Sequence, residues 1–312
     1  MSKKGLNDQH TVIRSEPPTA AVNRPLGIVL AVTGVMILTP DTLLMRISNF
    51  DGNQMLAWRG ILSGLVYLMI WFFTRKEGLR AALTKLATLA GLLVIAAQAV
   101  NASFFAIGIA VAPVSVVLFG VATTPIFAAI LGRIIAKERA PASLWVTTIL
   151  VMMGIAIAIF GGDGGKIIID SNTIIGGFLG LWVGVSIALS LVLIRLHRDL
   201  PFVLAISIGA FCSGVYGLVM TGGDIASGGH ILPIIATGVF VLPVSFFMLT
   251  LASRYTLSAN VSLVFLLETA LGPLWVWWGI GEAPTTAMII GGIIVVGTLA
   301  VYLVARLRAE RA

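Results

Sequence analysis

Charged residues and cysteine are both scarce in this chain of 312 residues. Only 11% of the residues are Asp, Glu, Lys or Arg, whereas 58% are hydrophobic and the mean hydropathy is +1.05. Soluble domains are about one-quarter charged, so this chain lacks the polar side chains that would cover a water-exposed surface. A soluble enzyme is therefore excluded, and so is a disordered chain beyond the polar N-terminal stretch. The single cysteine, Cys212, leaves no internal disulfide framework.

Several soluble chemistries are missing as well. No Walker A motif is present, so ATP does not drive the protein directly. The three histidines, His10, His197 and His230, are scattered through a tail and separate loops, and we expect neither a metal site nor a cofactor. The net charge of +7 would favour nucleic acid as the partner of a soluble protein. Basic residues also collect in the cytoplasmic loops of membrane proteins, so we expect no nucleic-acid partner here.

Long apolar segments are present instead. A transmembrane helix needs about 20 mostly apolar residues. Stretches rich in Gly, Asn and Asp separate the apolar segments, as turns would. The pattern predicts an all-α membrane protein with ten transmembrane helices. The predicted spans are 25–44, 55–74, 83–110, 113–135, 143–161, 173–194, 201–220, 230–252, 257–279 and 285–305.

The distribution of Lys and Arg predicts the orientation in the membrane. With ten spans both termini lie on one side, and that side contains 17 of the 20 basic residues, leaving Arg46, Arg59 and Lys166 on the other. An excess of Lys and Arg marks cytoplasmic loops. We therefore expect a multi-pass protein of the inner (plasma) membrane with both termini in the cytoplasm. Residues 1–24 are then a disordered cytoplasmic tail, and residues 306–312 are a second cytoplasmic tail.

Two apolar segments, 116–141 and 260–284, resemble each other. Each has a Thr-Pro or Glu-Thr pair in its middle and ends in a Glu that is soon followed by Pro. A shift of 144 residues aligns the two segments and places Glu138 on Glu282. The alignment predicts an internal repeat that relates the fourth predicted span to the ninth.

The repeat divides the chain into two halves, 25–161 and 173–305, with five predicted spans each. Because five is odd, the two halves must sit in the membrane in opposite orientations. Inverted repeats of this kind are common in secondary transporters, whose substrate site lies between the halves near the middle of the membrane. No motif of an ion-channel filter is present.

The chain resembles the EamA-type branch of the drug/metabolite transporter superfamily from about residue 25 to residue 305. The resemblance implies two inverted five-helix repeats, an alternating-access transporter with no enzymatic activity, and a central cavity lined by spans one to four and six to nine. The segment with Glu268 departs from many relatives, which have Glu-Pro where this chain has Glu-Thr. The motifs that carry the resemblance are LTPDTLLMRI at 38–47, QMLAWRGILSG at 54–64, ATTPIFAAILGRIIAKERAP at 122–141 and FLLETALGPLWVWWGIGEAP at 265–284.

The resemblance implies secondary transport of small metabolites, with export of amino acids or related compounds as our first prediction. Uptake or facilitated diffusion of a vitamin or an organic acid is the alternative. A membrane-embedded transferase is a remote alternative, since it would need His, Asp or Arg clustered at one membrane face. The expected partners are a small-molecule substrate, the lipid bilayer and, where a gradient drives transport, protons. One chain carries both halves, so the protein is expected to be a monomer or a homodimer.

Glu268 is the strongest candidate for transport chemistry. It lies midway along the ninth predicted span, with apolar residues on both sides for several turns. Charged groups within a membrane span are costly and usually functional. Desolvation disfavours the charged form of such a carboxyl, which would allow it to exchange protons or to bind a substrate amine. The alternative is a structural acid that bonds Thr269 or a neighbouring helix.

Asp41 and Arg59 are the other charged candidates. Asp41 follows Pro40 in the outer half of the first predicted span. The proline leaves a backbone carbonyl one turn earlier without its usual donor, and such interruptions line cavities in transporters. Asp41 is expected either to pair with Arg46 or Arg59 or to meet the substrate. Arg59 could instead bind a substrate carboxylate, since its planar guanidinium suits that group.

Three amide side chains complete the set of candidate site residues. Gln98 and Asn101 are three residues apart in the third predicted span and so share a helix face, and Asn260 enters the ninth. Such groups either bond a neighbouring helix or line a wet cavity. Pro125 and Pro243, together with the proline of the first span, are candidate hinges for rocking between the inward-open and outward-open states.

Overall fold

Every regular element in the described part of the chain is a helix, in the computed structural model of residues 24–75, 77–112, 114–138, 140–161, 171–281 and 286–309. Our predictions for residues 1–23, Lys166, Glu282 and residues 310–312 fall outside those ranges. The helices are α1 (Arg24–Leu38), α2 (Asp41–Ser48), α3 (Gly52–Thr74), α4 (Leu79–Leu86), α5 (Leu89–Val111), α6 (Val114–Val121), α7 (Thr124–Ile135), α8 (Ala142–Phe160), α9 (Ser171–Leu196), α10 (Phe202–Met220), α11 (Ile231–Ala236), α12 (Leu242–Ser253), α13 (Ser258–Phe265), α14 (Leu267–Ile280) and α15 (Thr286–Ala309).

Nine helical stretches of the described chain are long and apolar enough to cross a membrane. They match nine of the ten predicted spans. At the fifth predicted span the structure has α8, whose stretch Ala142–Ala158 is apolar but shorter. The protein is therefore an all-helical membrane protein with nine candidate spans and one shorter apolar helix. In order, the ten predicted positions hold α1–α2, α3, α5, α6–α7, α8, α9, α10, α11–α12, α13–α14 and α15.

The third span begins later than the apolar run that predicted it. We predicted a span over 83–110, but the residues up to Leu86 belong to the separate helix α4, and α5 begins at Leu89. The Thr88 hydroxyl accepts a hydrogen bond from the Gly91 N–H (3.3 Å) and so caps the first turn of α5. This cap sets a helix boundary that hydropathy does not mark.

Two spans are interrupted at a Thr-Pro pair. The first span divides into α1 and α2, and the fourth divides into α6 and α7. The ring nitrogen of proline cannot donate to the carbonyl four residues earlier. The preceding threonine donates instead: the Thr39 hydroxyl bonds the Met36 carbonyl (2.9 Å), and the Thr124 hydroxyl bonds the Val121 carbonyl (2.5 Å). In both interruptions a threonine hydroxyl therefore replaces the N–H that proline lacks.

All three proline hinge candidates lie beside irregular backbone. Pro40 and Pro125 stand at the two Thr-Pro interruptions. Pro243 follows a π-helical turn, Thr237–Val241, which links α11 to α12. The Tyr67 hydroxyl of α3 donates to the carbonyl of Leu242 at this turn (2.9 Å). The location fits a hinge, and movement at these prolines stays a prediction.

The ninth span is interrupted without a proline. Leu266 separates α13 from α14, and its backbone stays close to helical, with φ −66° and ψ −14°. The interruption is therefore mild, in line with the departure from the Glu-Pro pattern. It lies 144 residues after Ala122, which together with Thr123 separates α6 from α7. The same interval relates the two left-handed residues Lys137 (φ 54°) and Gly281 (φ 79°), which follow α7 and α14.

Polar contacts join separate loops at one end of the bundle. Glu138, after α7, forms an ion pair with Arg195 near the end of α9. Arg195 also donates to the Ser253 carbonyl at the end of α12 (3.3 Å), and Arg254 donates to the Leu200 carbonyl (2.9 Å). The loops that follow the fourth, sixth and eighth predicted spans therefore lie together.

The loop between α10 and α11 docks on the start of α3 at the other end of α10. The Gln54 amide donates to the carbonyls of Asp224 (3.2 Å) and Ser227 (3.1 Å), and the Trp58 indole N–H donates to the Ile225 carbonyl (2.7 Å). Hydrogen bonds from the hydroxyl and the N–H of Ser227 lower the pKa of Asp224. The loops after the first and seventh predicted spans therefore share this end.

Candidate functional site

A cavity with about 930 Å³ of empty space, which includes space open to solvent, lies where the interrupted helices meet. Its lining combines apolar walls with a few polar and charged groups, as small-molecule sites do. The described residues that line it come from α1, α2, α3, α5, α6, α9, α10, α12, α13 and α14, with none from α8 or α15. This matches the expectation that spans one to four and six to nine surround a central cavity.

Five of the six candidate site residues line this cavity. They come from four predicted spans, yet they share one lining. Among the described lining residues only three carry a charge, two carboxyls and one guanidinium, so the site has a net charge of −1 when all are ionised. The five residues are Asp41, Arg59, Gln98, Asn101 and Glu268.

Asp41 and Arg59 form a buried ion pair. Arg59 Nη2 donates to Asp41 Oδ2 at 2.7 Å, and Asp41 and Arg59 are only 2% and 9% exposed. Arg59 Nη1 donates to the Met45 sulfur, so both terminal nitrogens of the guanidinium are engaged. Of the two arginines that the sequence offered to Asp41, the structure places Arg59 against it, whereas Arg46 is exposed.

Glu268 lies at the start of α14, two residues after the interruption at Leu266. Its side chain is 6% exposed and lies within electrostatic range of both Asp41 and Arg59. It makes no hydrogen bond to any residue that the structure describes, so the structural alternative of a bond to Thr269 is not seen. The carboxyl therefore faces the cavity next to an existing ion pair.

One carboxylate oxygen at the site has no partner. Asp41 Oδ1 is buried and accepts no hydrogen bond within the described chain, although Oδ2 of the same carboxylate is paired. A buried acceptor without a donor is unfavourable by roughly 1–3 kcal/mol. Such an atom in a native protein needs an explanation, and a bound water, ion or ligand is one that fits an atom at a cavity.

Asn260 lies elsewhere. Its Oδ1 accepts a hydrogen bond from the Tyr302 hydroxyl (2.7 Å), and its Nδ2 donates to Thr256 Oγ1 (3.1 Å). These contacts tie α13 to α15 and to the turn before α13. The structure therefore places Asn260 in helix packing and does not bring it to the cavity, because both ends of its amide are satisfied by neighbouring side chains.

Several lining residues were not among the six candidate site residues. Tyr67, Phe105, Phe246 and Phe265 supply aromatic walls, and Ser63 and Ser213 add small polar groups. Phe265 directly precedes the interruption of the ninth span, which is a local signal for it. Aromatic residues in an apolar run carry no mark that separates cavity-facing from lipid-facing positions.

A second, smaller cavity of about 360 Å³ lies on the side toward Arg195 and Arg254 along α9 and α12. Ser190 Oγ, one of its buried hydroxyls, has no hydrogen-bond partner in the described chain. A wall that belongs to both cavities separates the two. The shared wall residues are Gln98, Ile187, Phe246 and Phe265.

Comparisons with known proteins agree with this architecture. Residues 25–160 match the model of the EamA-like transporter family. A solved structure, titled only as the crystal structure of a protein, is similar with a TM-score of 0.72 and 14% sequence identity, covering 92% of this chain and 99% of its own. At that identity the likeness concerns the fold alone. No curated protein sequence matches the chain significantly. Residues 25–160 therefore belong to the EamA-like transporter family of the drug/metabolite transporter superfamily, and this membership implies small-molecule transmembrane transport rather than enzymatic chemistry.

Proposed function

We propose that the protein is a secondary active transporter that exports a small amino-group-bearing metabolite by alternating access through the central cavity. The observation that carries the proposal is the cavity itself: it holds three charged groups, Asp41, Arg59 and Glu268, within membrane-spanning helices. Intramembrane charges around a cavity mark substrate and proton pathways. We place the protein in the inner membrane with both termini in the cytoplasm.

The helix packing supports two inverted repeats. α3 packs against α10, and α8 packs against α15. The first contact joins span two to span seven, and the second joins span five to span ten. In each case the two spans hold the same position in their halves, as a two-fold repeat requires. α5 packs on α9 while α12 packs on α1, and the exchange converts one of these contacts into the other. Matching irregularities 144 residues apart, at Ala122 and Leu266 and at Lys137 and Gly281, add to this support.

The loop contacts support ten spans and thus a spanning α8. Glu138 precedes α8 and contacts Arg195 in the last turn of α9. If α8 and α9 both cross the membrane, these two residues lie on the same side, as their contact requires. That side carries most of the Lys and Arg residues in the ten-span count, which favours the cytoplasm.

The wall between the two cavities is the barrier that alternating access must open. Phe246 of α12 and Phe265 of α13 meet edge to face with ring centroids 6.3 Å apart. Phe265 directly precedes the interruption at Leu266, and α12 follows a π-helical turn. Irregular backbone of this kind lets short helix segments tilt. Separation of the two rings would connect the central cavity to the smaller one.

Glu268 is our proposed proton-coupling residue. It has no hydrogen bond within the described chain and faces the cavity, so a proton or a substrate can reach it. Its charged neighbours at the site are Asp41 and Arg59, which already neutralise each other. A carboxyl in this position can take up a proton in one state of the transporter and release it in the other.

A transport assay in proteoliposomes tests the function. Wild-type protein should accumulate a labelled amine or amino acid when a proton gradient is imposed, and Glu268→Gln should lose the gradient-driven part. Glu77→Gln is the matched control, because Glu77 pairs with Lys85 outside the cavity. Equal uptake by wild type and Glu268→Gln without a gradient would contradict proton coupling at Glu268. Transport that leaks small ions freely would contradict alternating access.

A further inference from the structure

The polar groups of the central cavity leave acceptor atoms without donors. Asp41 and Arg59 neutralise each other, and Glu268 adds one net negative charge when it is deprotonated. Asp41 Oδ1 lacks a hydrogen-bond donor, and Glu268 makes no hydrogen bond within the described chain. Two carboxyl groups therefore offer acceptor positions that no described protein group fills. A buried acceptor of this kind is stabilised by a partner that brings N–H groups.

Arg59 is poorly placed to bind the carboxylate of a substrate. Its Nη2 donates to Asp41 and its Nη1 to the Met45 sulfur, so a substrate carboxylate would have to compete with these two acceptors for the guanidinium. A substrate carboxylate bound to Arg59 would also lie near Glu268. The two carboxylates would repel each other when Glu268 is deprotonated. The hypothesis that Arg59 binds a substrate carboxylate is therefore disfavoured.

The rest of the cavity is mostly apolar. Phe105, Phe246 and Phe265 stand among aliphatic residues, while the amides of Gln98 and Asn101 make no hydrogen bond to any described residue. Aromatic rings of the wall pack well against an apolar or aromatic body. The ligand that fits this lining has a protonated amine at one end and an apolar body at the other.

We propose that the cavity binds a primary ammonium group between Asp41 Oδ1 and the Glu268 carboxylate, and that it selects apolar monoamines over acids, zwitterions and quaternary ammonium compounds. Glu268 keeps some exposure, whereas Asp41 Oδ1 is covered by its neighbours. The ammonium group therefore meets Glu268 first, and Asp41 Oδ1 is the inner of the two acceptors. This inference rests on the proposed function and narrows its substrate to one chemical class.

Binding to the purified full-length protein tests the inference without a membrane gradient. The probes are phenethylamine, phenylalanine, phenylacetate and trimethyl(phenethyl)ammonium, which share a ring and differ in charge and N–H groups. Isothermal titration calorimetry should show that phenethylamine binds about tenfold or more tightly than each of the others, the factor expected for hydrogen bonds to charged groups. Phenylacetate or the quaternary compound binding as well as phenethylamine would overturn the proposal. So would the absence of phenethylamine binding in the millimolar range.

Three variants locate the binding group. Glu268→Gln leaves the Asp41–Arg59 pair intact and should weaken phenethylamine binding about tenfold or more, since it removes one charged acceptor. Glu268→Asp should retain measurable selectivity because it keeps a carboxylate, and Glu77→Gln should bind like wild type. Unchanged binding in Glu268→Gln would overturn the proposal.

Asp41→Asn gives a sharper result, because it removes a carboxylate and releases Arg59. Phenethylamine binding should fall and phenylacetate binding should rise. The binding site and the transport function can be contradicted independently. A protein that binds the four probes with the predicted ranking of affinities but moves no amine into proteoliposomes contradicts the transport function alone. A gradient-driven carrier that prefers phenylacetate contradicts the proposed site alone.

Discussion

Asp41 and Arg59 hold each other in the membrane interior, and Glu268 stands beside them without a hydrogen bond in the described chain. This asymmetry decides what each residue can do. The bonded Asp41 Oδ2 holds α2 against α3, whereas Asp41 Oδ1 and the Glu268 carboxyl are available to a ligand or a proton. The residues that look alike in the sequence, as isolated charges in apolar runs, therefore have different roles.

The ion pair predicts a pattern of stability. Arg59→Met leaves Asp41 buried without its partner and should destabilise the protein by about 3–5 kcal/mol, the usual effect of breaking a buried pair. The double variant Asp41→Leu with Arg59→Met removes both charges and should recover most of that loss. Thermal unfolding of the detergent-solubilised variants measures this. Equal melting temperatures for the single and double variants would show that the pair does not couple α2 to α3.

The sequence identifies these charged residues because charges in spans are rare. The sequence does not distinguish amides that line the cavity from amides that bond a neighbouring helix. Gln98 lines the cavity while Asn260 is bound by Tyr302, which lies 42 residues further along the chain and whose hydroxyl no local pattern places. A polar amide in an apolar helix predicts only that it finds a partner, and the tertiary packing decides which one.

At the scale of the helices, the interruptions are where sequence and structure agree best. Proline marks the divisions of the first and fourth spans, and the threonine before each proline supplies the replacement donor. The Thr39 hydroxyl also accepts a hydrogen bond from the Trp275 indole (2.9 Å), which links the first interruption to α14. Leu266 carries no comparable signal, since its backbone stays near helical.

The hydrogen bonds of the Thr39 hydroxyl predict that its removal lowers the stability of the protein. Thr39→Val leaves the Met36 carbonyl and the Trp275 N–H without their partner and should destabilise the protein by roughly 1–3 kcal/mol. Thr84→Val is the control, because Thr84 makes a similar bond to the Arg80 carbonyl (2.9 Å) on an exposed helix. A comparison of melting temperatures checks the difference. An equal effect of both substitutions would mean that the interruption does not depend on the hydroxyl.

The contact between α3 and α10 is a close backbone approach between the two halves and can be tested by substitution. A Cβ added at Gly60 would lie 2.4 Å from the Gly214 nitrogen, so the two backbones must separate. Gly60→Ala should therefore destabilise the protein by about 1–3 kcal/mol, as overpacking does. Gly297→Ala in α15, where a Cβ meets nothing within 4 Å, should be neutral or slightly stabilising. Equal unfolding temperatures for the two variants would show that the helices separate without a measurable loss of stability.

At the scale of the whole molecule, the apolar segments and the basic residues predict most of the architecture. The boundary that they misplace most, at the start of the third span, follows from the Thr88 cap inside a continuous apolar run. The cavity and its wall have no sequence signature. They arise because helices from both halves end or bend near the same point, and only the assembled bundle brings Phe246 against Phe265.

Alternating access through this wall is the central claim, and thiol labelling from each side of the membrane tests it most directly. Ser63 lines the central cavity and Ser190 the smaller one, on opposite sides of the wall. Cys212→Ala provides a background without cysteine. In that background, Ser63→Cys should react with a membrane-impermeant thiol reagent from both sides and Ser190→Cys from the cytoplasmic side only, with phenethylamine slowing the reaction at Ser63→Cys. Labelling of both positions from both sides would indicate an open pore, and labelling of Ser63→Cys from neither side would show that the cavity is not a transport pathway.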